Sequence, residues 1–288
     1  MKKKYYTTET VNDHITAIRS ACGEILYLIQ GEDRGVLMDT NLGVGHLKAL
    51  VDTFTDKPYD VVLTHGHIDH ALGAPEYEKV YMNHADIPIY KTMSPMEERL
   101  GYLHACLGPR YDDFGFTEED FVPPEPDKSF EDLREGMTFD LGGLHVELVA
   151  FPGHTPGSMA LFLPEDRILI TGDACNDSTF LFDENASTVE EYISQVRRVK
   201  KMLEGRFDRV LICHHAIDTG ADILDNMIQI CEDIMAGNAD DLPFHFRGMQ
   251  ACIARKCSPQ FERDDGRRGN LIYSKEKIRK ERKTNHEN

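Results

Sequence analysis

Residues 64–70 read THGHIDH and follow directly on the apolar run DVVL. His65 and His67 lie two positions apart, so on an extended segment both rings project to the same side and can bind one ion. Asp69 and His70 fall where the chain turns into a helix, and there they can face a second point nearby. Imidazole and carboxylate groups suit zinc and other borderline divalent ions. The alternative interpretation is a polar loop with an aspartate helix cap.

Three later segments end apolar runs with residues of the same kinds. FPGHTPGS places His154 among Gly and Pro residues after the strand-like HVELVAF, and LITGD presents Asp173 at the end of another run. RVLICHH ends a third run with His214 and His215. Each segment alone fits an ordinary turn. Four strand ends that each deliver His or Asp indicate a shared metal site instead.

In this order, THGHIDH, FPGHTPGS, LITGD and LICHH resemble the motifs of the metallo-β-lactamase-fold hydrolases, from about residue 15 to about residue 235. The resemblance implies an α/β (α+β) chain folded as a four-layer αββα sandwich with a two-metal site at one edge. The ligands it implies are His65, His67 and His154 for one metal, and Asp69, His70 and His214 for the other, with Asp173 bridging both.

Two positions depart from the family pattern. The family's last ligand usually stands in Gly-His-Gly, whereas this chain has Cys213-His214-His215, so His215 competes with His214 for that role. Asp39, in LMDTNLG, resembles the family's early aspartate at a strand end, which supports the ligands from behind. The glycine that usually follows it is Asn41 here.

The resemblance implies a dinuclear hydrolase with two Zn²⁺ per chain, with iron or manganese as alternative metals. A hydroxide between the metals would attack the carbonyl of a small ester, lactone or thioester, and Asp69 would be the catalytic residue that orients it. Asp173 argues against true β-lactamases, which lack it, and the motifs are closest to glyoxalase II and the acyl-homoserine lactonases. An iron-dependent oxygenase of the same fold, similar to persulfide dioxygenases, and a phosphodiesterase stay open as alternatives.

The order of β-prone and helical segments also predicts two packed sheets with helices outside. Residues 86–130 combine short helical stretches with Pro-rich loop and predict a mainly helical insertion that forms one wall of the substrate pocket. Candidate substrate contacts in it are Tyr102, His104, Arg110 and Tyr111. The hydrolase domain is expected to span residues 1–274, followed by a basic, flexible tail at residues 275–288.

Composition restricts the partners of this 288-residue chain. A net charge of −18 disfavours nucleic acid, because phosphate binding needs a basic surface. No apolar run approaches the roughly 20 residues that span a bilayer, so we expect no membrane. The partner that the resemblance implies is a small-molecule substrate. Seven scattered cysteines without a CxxC pair predict reduced thiols and a cytoplasmic location. The sequence is compatible with a homodimer.

Overall fold

The structure is a computed structural model that describes residues 3–280. Its strands are β1 (Tyr6–Thr10), β2 (Ile15–Ser20), β3 (Ile25–Gln30), β4 (Gly35–Met38), β5 (Tyr59–Val62), β6 (Val80–Met82), β7 (Glu131–Asp132), β8 (Thr138–Asp140), β9 (His145–Ala150), β10 (Met159–Leu163), β11 (Ile168–Ile170), β12 (Thr179–Leu181), β13 (Arg209–Leu211), β14 (Leu242–Phe246), β15 (Met249–Ile253) and β16 (Leu271–Tyr273). The α-helices are α1 (Leu47–Val51), α2 (Ile68–Ala71), α3 (Ile87–Met93), α4 (Met96–Leu107), α5 (Val189–Met202) and α6 (Ile223–Ala236). Short 3₁₀ turns lie at Ala74–Glu76, His84–Asp86, Gly108–Phe114, Glu118–Asp120, Gly172–Ala174 and Lys275–Lys277.

Two sheets form the centre of the molecule. The first contains β1 to β7 in chain order, antiparallel from β1 to β4 and parallel from β4 to β7. The second has the order β13-β11-β10-β9-β8 and is antiparallel except for the parallel pair β11–β13. The polar segment GEDRG forms the connection between β3 and β4, as its Gly-flanked composition predicts.

Alternation of side chains along the strands builds the core. On β3, Ile25, Tyr27 and Ile29 pack between the two sheets, whereas Leu26 and Leu28 face the helices outside the first sheet. This period of two is the geometry of a strand that is buried on both faces. A third core lies between the second sheet and helices α5 and α6. The predicted αββα sandwich is therefore confirmed.

The insertion at residues 86–130 has the helical and then irregular character that its composition predicts. It contains α3, α4 and two 3₁₀ turns, followed by a Pro-rich stretch. Buried Arg99 of α4 attaches the insertion to the rest of the fold. Its guanidinium donates hydrogen bonds to the carbonyl oxygens of Gly43, Leu72 and Val122. Burial lowers the pKa of Arg99 to about 10, so this side chain stays charged near neutral pH.

A third, smaller sheet has the order β12-β16-β15-β14. The two sheets predicted from the sequence do not include it, and the hairpin formed by β14 and β15 was not predicted. Next to this sheet, Lys277 donates hydrogen bonds to the carbonyl oxygens of Asp183, Glu184 and Ala186 and so holds the first residues of the segment predicted as a flexible tail. The rest of that segment, residues 281–288, lies outside the described residues. Between residues 3 and 280, none of the helices combines the length and the apolar character that crossing a bilayer requires.

Candidate metal centre

The first group of candidate ligands consists of three buried histidines. His65 and His67 follow β5 on an extended segment and approach each other edge to face, with ring centroids 4.8 Å apart. The loop after β9 brings His154 to 4.9 Å and 4.6 Å from these two rings. His67 Nδ1 lies 2.9 Å from His154 Nε2. The structure thus joins the first motif and FPGHTPGS, which are about ninety residues apart in sequence, at one point.

The environment of these rings keeps ligand nitrogens available. His154 Nδ1 lies 2.8 Å from the carbonyl oxygen of Phe180 and must donate to it, which leaves Nε2 as an acceptor. Among residues 3–280, the buried Nε2 atoms of His65 and His67 find no hydrogen-bond partner. Burial first, and then the neighbouring imidazoles, lower the pKa of His65 and bring that of His67 to about 4. Neutral imidazole is the form that binds metals.

The second group consists of Asp69, His70, Asp173 and His214. His70 Nε2 lies 3.5 Å from Asp173 Oδ2 and 3.6 Å from Asp69 Oδ2. His214 Nε2 lies 3.2 Å from Asp173 Oδ1 and 3.7 Å from Asp69 Oδ2. Asp173 Oδ2 is also 3.8 Å from His154 Nε2, so this carboxylate borders both groups. That position is the one expected of a bridging ligand.

Histidine pKa values shift in opposite directions in the two groups. Burial disfavours the charged form of His214, but the carboxylates of Asp173 and Asp69 outweigh burial and raise its pKa to about 9. Burial likewise opposes protonation of His70, and Asp69, Asp173 and Asp39 together raise its pKa. These shifts report a strongly negative potential that favours any cation, whether a proton or a metal ion.

The side chains present fit divalent metal ions. Within each group the candidate ligand atoms lie within 4.8 Å of one another, and three imidazoles, or two imidazoles and two carboxylates, are donor sets that zinc accepts. The unpartnered buried nitrogens of the first group would otherwise carry a desolvation cost with no compensation. We therefore regard both groups as sites that can hold a metal ion.

The structure places His214 and His215 in different surroundings. His215 has a positive φ of 65°, and the second group of clustered ligand atoms includes His214 but not His215. Its Nε2 lies 2.8 Å from Ser178 Oγ, and burial followed by the nearby His214 lowers its pKa to about 4. The structure brings His214, and not His215, beside the two carboxylates.

Asp39 supports the site from behind, as the resemblance implies. Its Oδ2 accepts a hydrogen bond from His70 Nδ1 at 2.8 Å, which directs His70 Nε2 toward the second group. Its Oδ1 accepts from the Thr64 amide at 2.7 Å, and the Thr64 hydroxyl lies 2.9 Å from His65 Nδ1. One buried carboxylate therefore orients residues that serve both groups.

Asp86 is a residue at the site that sequence reasoning missed. Its carboxylate accepts hydrogen bonds from the amides of Gly66 and Gly157, at 2.9 Å and 2.7 Å, and from the Thr155 hydroxyl at 2.7 Å. It thus joins the two histidine-bearing loops. A Cβ at Gly66 would come within 2.6 Å of the Asp86 carbonyl oxygen, and a Cβ at Gly157 within 2.6 Å of Oδ1, so both loops need glycine there. In sequence, Asp86 before Ile-Pro looks only like a helix start.

The insertion contributes Tyr102 to the site. Its hydroxyl lies 2.8 Å from Oε1 of buried Glu24 and 3.1 Å from Asp69 Oδ2, so it orients Asp69. Of the four insertion residues predicted to contact substrate, Tyr102 is the one that borders the cavity at the site. His104 instead stacks on Tyr111 with ring centroids 3.9 Å apart, and Arg110 is exposed.

A cavity of about 500 Å³ opens above both groups. Its floor carries side chains of both groups, namely His67, Asp69, His154, Asp173 and His214. Apolar side chains dominate its walls, namely Ile68, Met93, Phe180, Phe182, Phe246, Met249 and Phe261. A pocket that is mostly apolar with a few convergent polar groups is the usual form of a small-molecule site.

Known proteins with similar sequences carry related activities in their names. Acyl-coenzyme A thioesterase MBLAC2 of Gallus gallus is 26% identical over 205 residues, which make up 66% of this chain and 71% of that protein. Hydroxyacylglutathione hydrolase GloC of Haemophilus influenzae is 28% identical over 156 residues, which make up 54% of this chain and 67% of that protein.

Solved structures and a family model agree on the fold. The metallo-beta-lactamase from Pontibacter korlensis matches with a TM-score of 0.54 and 16% identity, over 78% of this chain and 97% of that chain. At this identity the likeness concerns the fold alone. The model of the metallo-beta-lactamase superfamily matches residues 26–214, which is more than half of the chain and includes all the candidate ligands. The chain therefore belongs to the metallo-beta-lactamase superfamily.

Proposed function

We propose that this chain is a dinuclear zinc-dependent hydrolase that cleaves thioester bonds of small molecules. The observation that carries the proposal is the pair of adjoining ligand groups at the floor of the cavity, with Asp173 bordering both. A site for a single metal would not require the second group, in which two carboxylates and two imidazoles converge. Its completeness favours the hydrolase over the single-iron oxygenase that the sequence left open.

The proposed ligands divide as the resemblance implies. His65, His67 and His154 would hold one ion, and Asp69, His70 and His214 the other, with Asp173 shared between them. When bound, two divalent ions lower the pKa of water and polarise a carbonyl oxygen. Asp69 faces the cavity floor, where its carboxylate would accept a hydrogen bond from the attacking water and so orient it.

The choice of a thioester rests on two arguments. The names of two relatives, acyl-coenzyme A thioesterase and hydroxyacylglutathione hydrolase, both denote thioester cleavage. A thiol also leaves as the thiolate with a pKa near 8.5, so its departure needs little help from a general acid. Esters and lactones, whose alcohols are weaker leaving groups, are second choices at the same site.

The test combines metal analysis with a substrate panel on the full chain. We expect two zinc ions per chain by mass spectrometry and hydrolysis of a neutral thioester, S-acetyl-N-acetylcysteamine. Chelation should abolish this activity, and added zinc should restore it. His65→Ala should lower the metal content, whereas His145→Ala serves as the control, because His145 is half-exposed and pairs with Glu165 on the surface.

Other outcomes would assign the chain differently. One iron per chain together with oxygen consumption would make it an oxygenase. Cleavage of a phosphodiester in the same panel, with no thioester or lactone hydrolysed, would make it a phosphodiesterase. Full metal content in the His65→Ala variant would show that the ligand assignment itself is wrong.

A further inference from the structure

We propose that the cavity selects substrates with a neutral, apolar acyl group, which lies against four phenylalanines, Phe180, Phe182, Phe246 and Phe261, here called the aromatic wall. The inference rests on the proposed function, because the acyl group in question is that of the cleaved thioester. It adds the substrate class and the residues that select it.

The aromatic wall is assembled from three separate parts of the chain. Phe180 lies on β12, Phe182 directly after it, Phe246 at the end of β14, and Phe261 in the loop before β16. The ring centroids of Phe180 lie 4.9 Å from those of Phe182 and 5.3 Å from those of Phe246. The rings of Phe180, Phe182 and Phe246 therefore pack against one another. Phe261 belongs to the same apolar cluster and lines the same cavity. Two of these rings belong to the third sheet, so this sheet supplies one side of the cavity.

The aromatic wall begins at the metal centre. The Phe180 carbonyl accepts the hydrogen bond from His154 Nδ1, which fixes the backbone of the wall to a candidate ligand. A carbonyl carbon held at the floor would therefore have its acyl chain beside the Phe180 and Phe182 rings. Met93 of α3 and Met249 of β15 add further apolar surface to the same cavity.

Charges around the cavity disfavour an anionic acyl group. Among the described residues that line it, Arg247 is the one Lys or Arg side chain, and its guanidinium pairs with Glu98 at 2.5 Å. This ion pair joins the β14–β15 hairpin to helix α4 across the cavity. The Asp183 carboxylate also lines the cavity. A carboxylate at the far end of the acyl group, away from the metal centre, would lose its hydration without gaining a free cation.

The size of the expected effect follows from apolar burial. Each buried methylene contributes about 0.8 kcal/mol, which corresponds to roughly a fourfold increase in kcat/KM per methylene. A cavity of about 500 Å³ lies in the range of ordinary small-molecule sites. We therefore expect kcat/KM to rise along a series of acyl chains until the cavity is filled.

The experiment uses N-acetylcysteamine thioesters with acetyl, butyryl, hexanoyl and octanoyl groups, and an adipoyl thioester as the anionic counterpart of hexanoyl. Hexanoyl has four methylenes more than acetyl, so we expect a gain of between about tenfold and roughly 250-fold, the upper value applying if all four are fully buried. From hexanoyl to adipoyl we expect at least about a tenfold loss. Phe246→Ser and Met249→Ser should flatten the chain-length dependence. Phe54→Ser is the matched control, because Phe54 is 39% exposed and lies outside the cavity.

A binding measurement separates this inference from the proposed function. The neutral fluorescent probe N-phenyl-1-naphthylamine should bind the full chain, be displaced by octanol, and bind several-fold more weakly to the Phe246→Ser variant. Binding of the probe without hydrolysis of any thioester would leave the apolar site in place and overturn the proposed function. Hydrolysis of the acetyl thioester with neither chain-length dependence nor probe binding would overturn the aromatic wall as an acyl site.

Discussion

The replacement Asp86→Asn tests how the two histidine loops are held together. The Asp86 carboxylate accepts three hydrogen bonds, two from main-chain amides and one from a hydroxyl. An asparagine of the same shape has one oxygen and one amino group, so at least one N–H or O–H donor would face another donor. The loops that would lose a connection are those that carry His65, His67 and His154.

The expected loss of stability in Asp86→Asn follows from these hydrogen bonds. A bond to a charged acceptor contributes about 1.5–3 kcal/mol, and a buried donor left without a partner costs about 1–3 kcal/mol. Burial raises the pKa of Asp86 in spite of its hydrogen bonds, so the neutral amide recovers part of the loss. We expect a net decrease in the free energy of unfolding of about 2–4 kcal/mol. Metal affinity should fall about 10–100-fold, as it does when the groups that orient ligands are removed.

The assay is denaturant unfolding of the chelator-treated protein, followed by titration of zinc against a chelating dye. The matched control is Asp127→Asn, which removes an exposed carboxylate that pairs with Lys91 at the surface. This control should unfold at the same denaturant concentration as the parent chain. If Asp86→Asn also kept the parent's unfolding midpoint and zinc affinity, the role assigned to Asp86 would be refuted.

Three further substitutions test other parts of the site. His214→Ala should reduce the metal content, measured by mass spectrometry, from two ions per chain to one, whereas His215→Ala should retain both ions. The reverse result would make His215 the last ligand. Tyr102→Phe should weaken zinc binding about tenfold in competition with a dye, because Asp69 loses its hydroxyl partner, and unchanged affinity would contradict that role. Arg99→Met should lower the free energy of unfolding by about 3 kcal/mol, because three buried carbonyl oxygens lose a charged donor, while exposed Arg110→Met should leave the unfolding midpoint unchanged.

Sequence patterns predicted the parts of the fold that depend on nearby residues. The order of β-prone and helical segments is local information, and the candidate ligands stand at strand ends in short motifs. The role of Asp86 could not be predicted, because it depends on two loops that meet only after the sheets have packed. The different surroundings of His214 and His215, one beside Asp173 and the other beside Ser178, depend on contacts with distant segments, which the local motif Cys-His-His does not report.

The third sheet was missed for a related reason. Strand β12 has three residues, too few to show a period, and it pairs with β16 about ninety residues later, with Thr179 opposite Leu271. Long-range pairing of such short segments is decided by burial in the assembled molecule and not by local preference. Two rings of the aromatic wall, Phe180 and Phe246, lie on strands of this third sheet. For that reason the sequence did not predict the aromatic wall.

Both ligand groups combine residues from the two halves of the sandwich. His65, His67, Asp69 and His70 follow strand β5 of the first sheet, whereas His154, Asp173 and His214 follow strands β9, β11 and β13 of the second. A metal ion in either group would therefore connect the two sheets at their shared edge, and its binding free energy would add to the stability of the fold. The same edge borders the third sheet through the bond between His154 and the Phe180 carbonyl. Metal binding and the position of the aromatic wall are thus coupled through one histidine, whose Nε2 would face the metal and whose Nδ1 holds the wall.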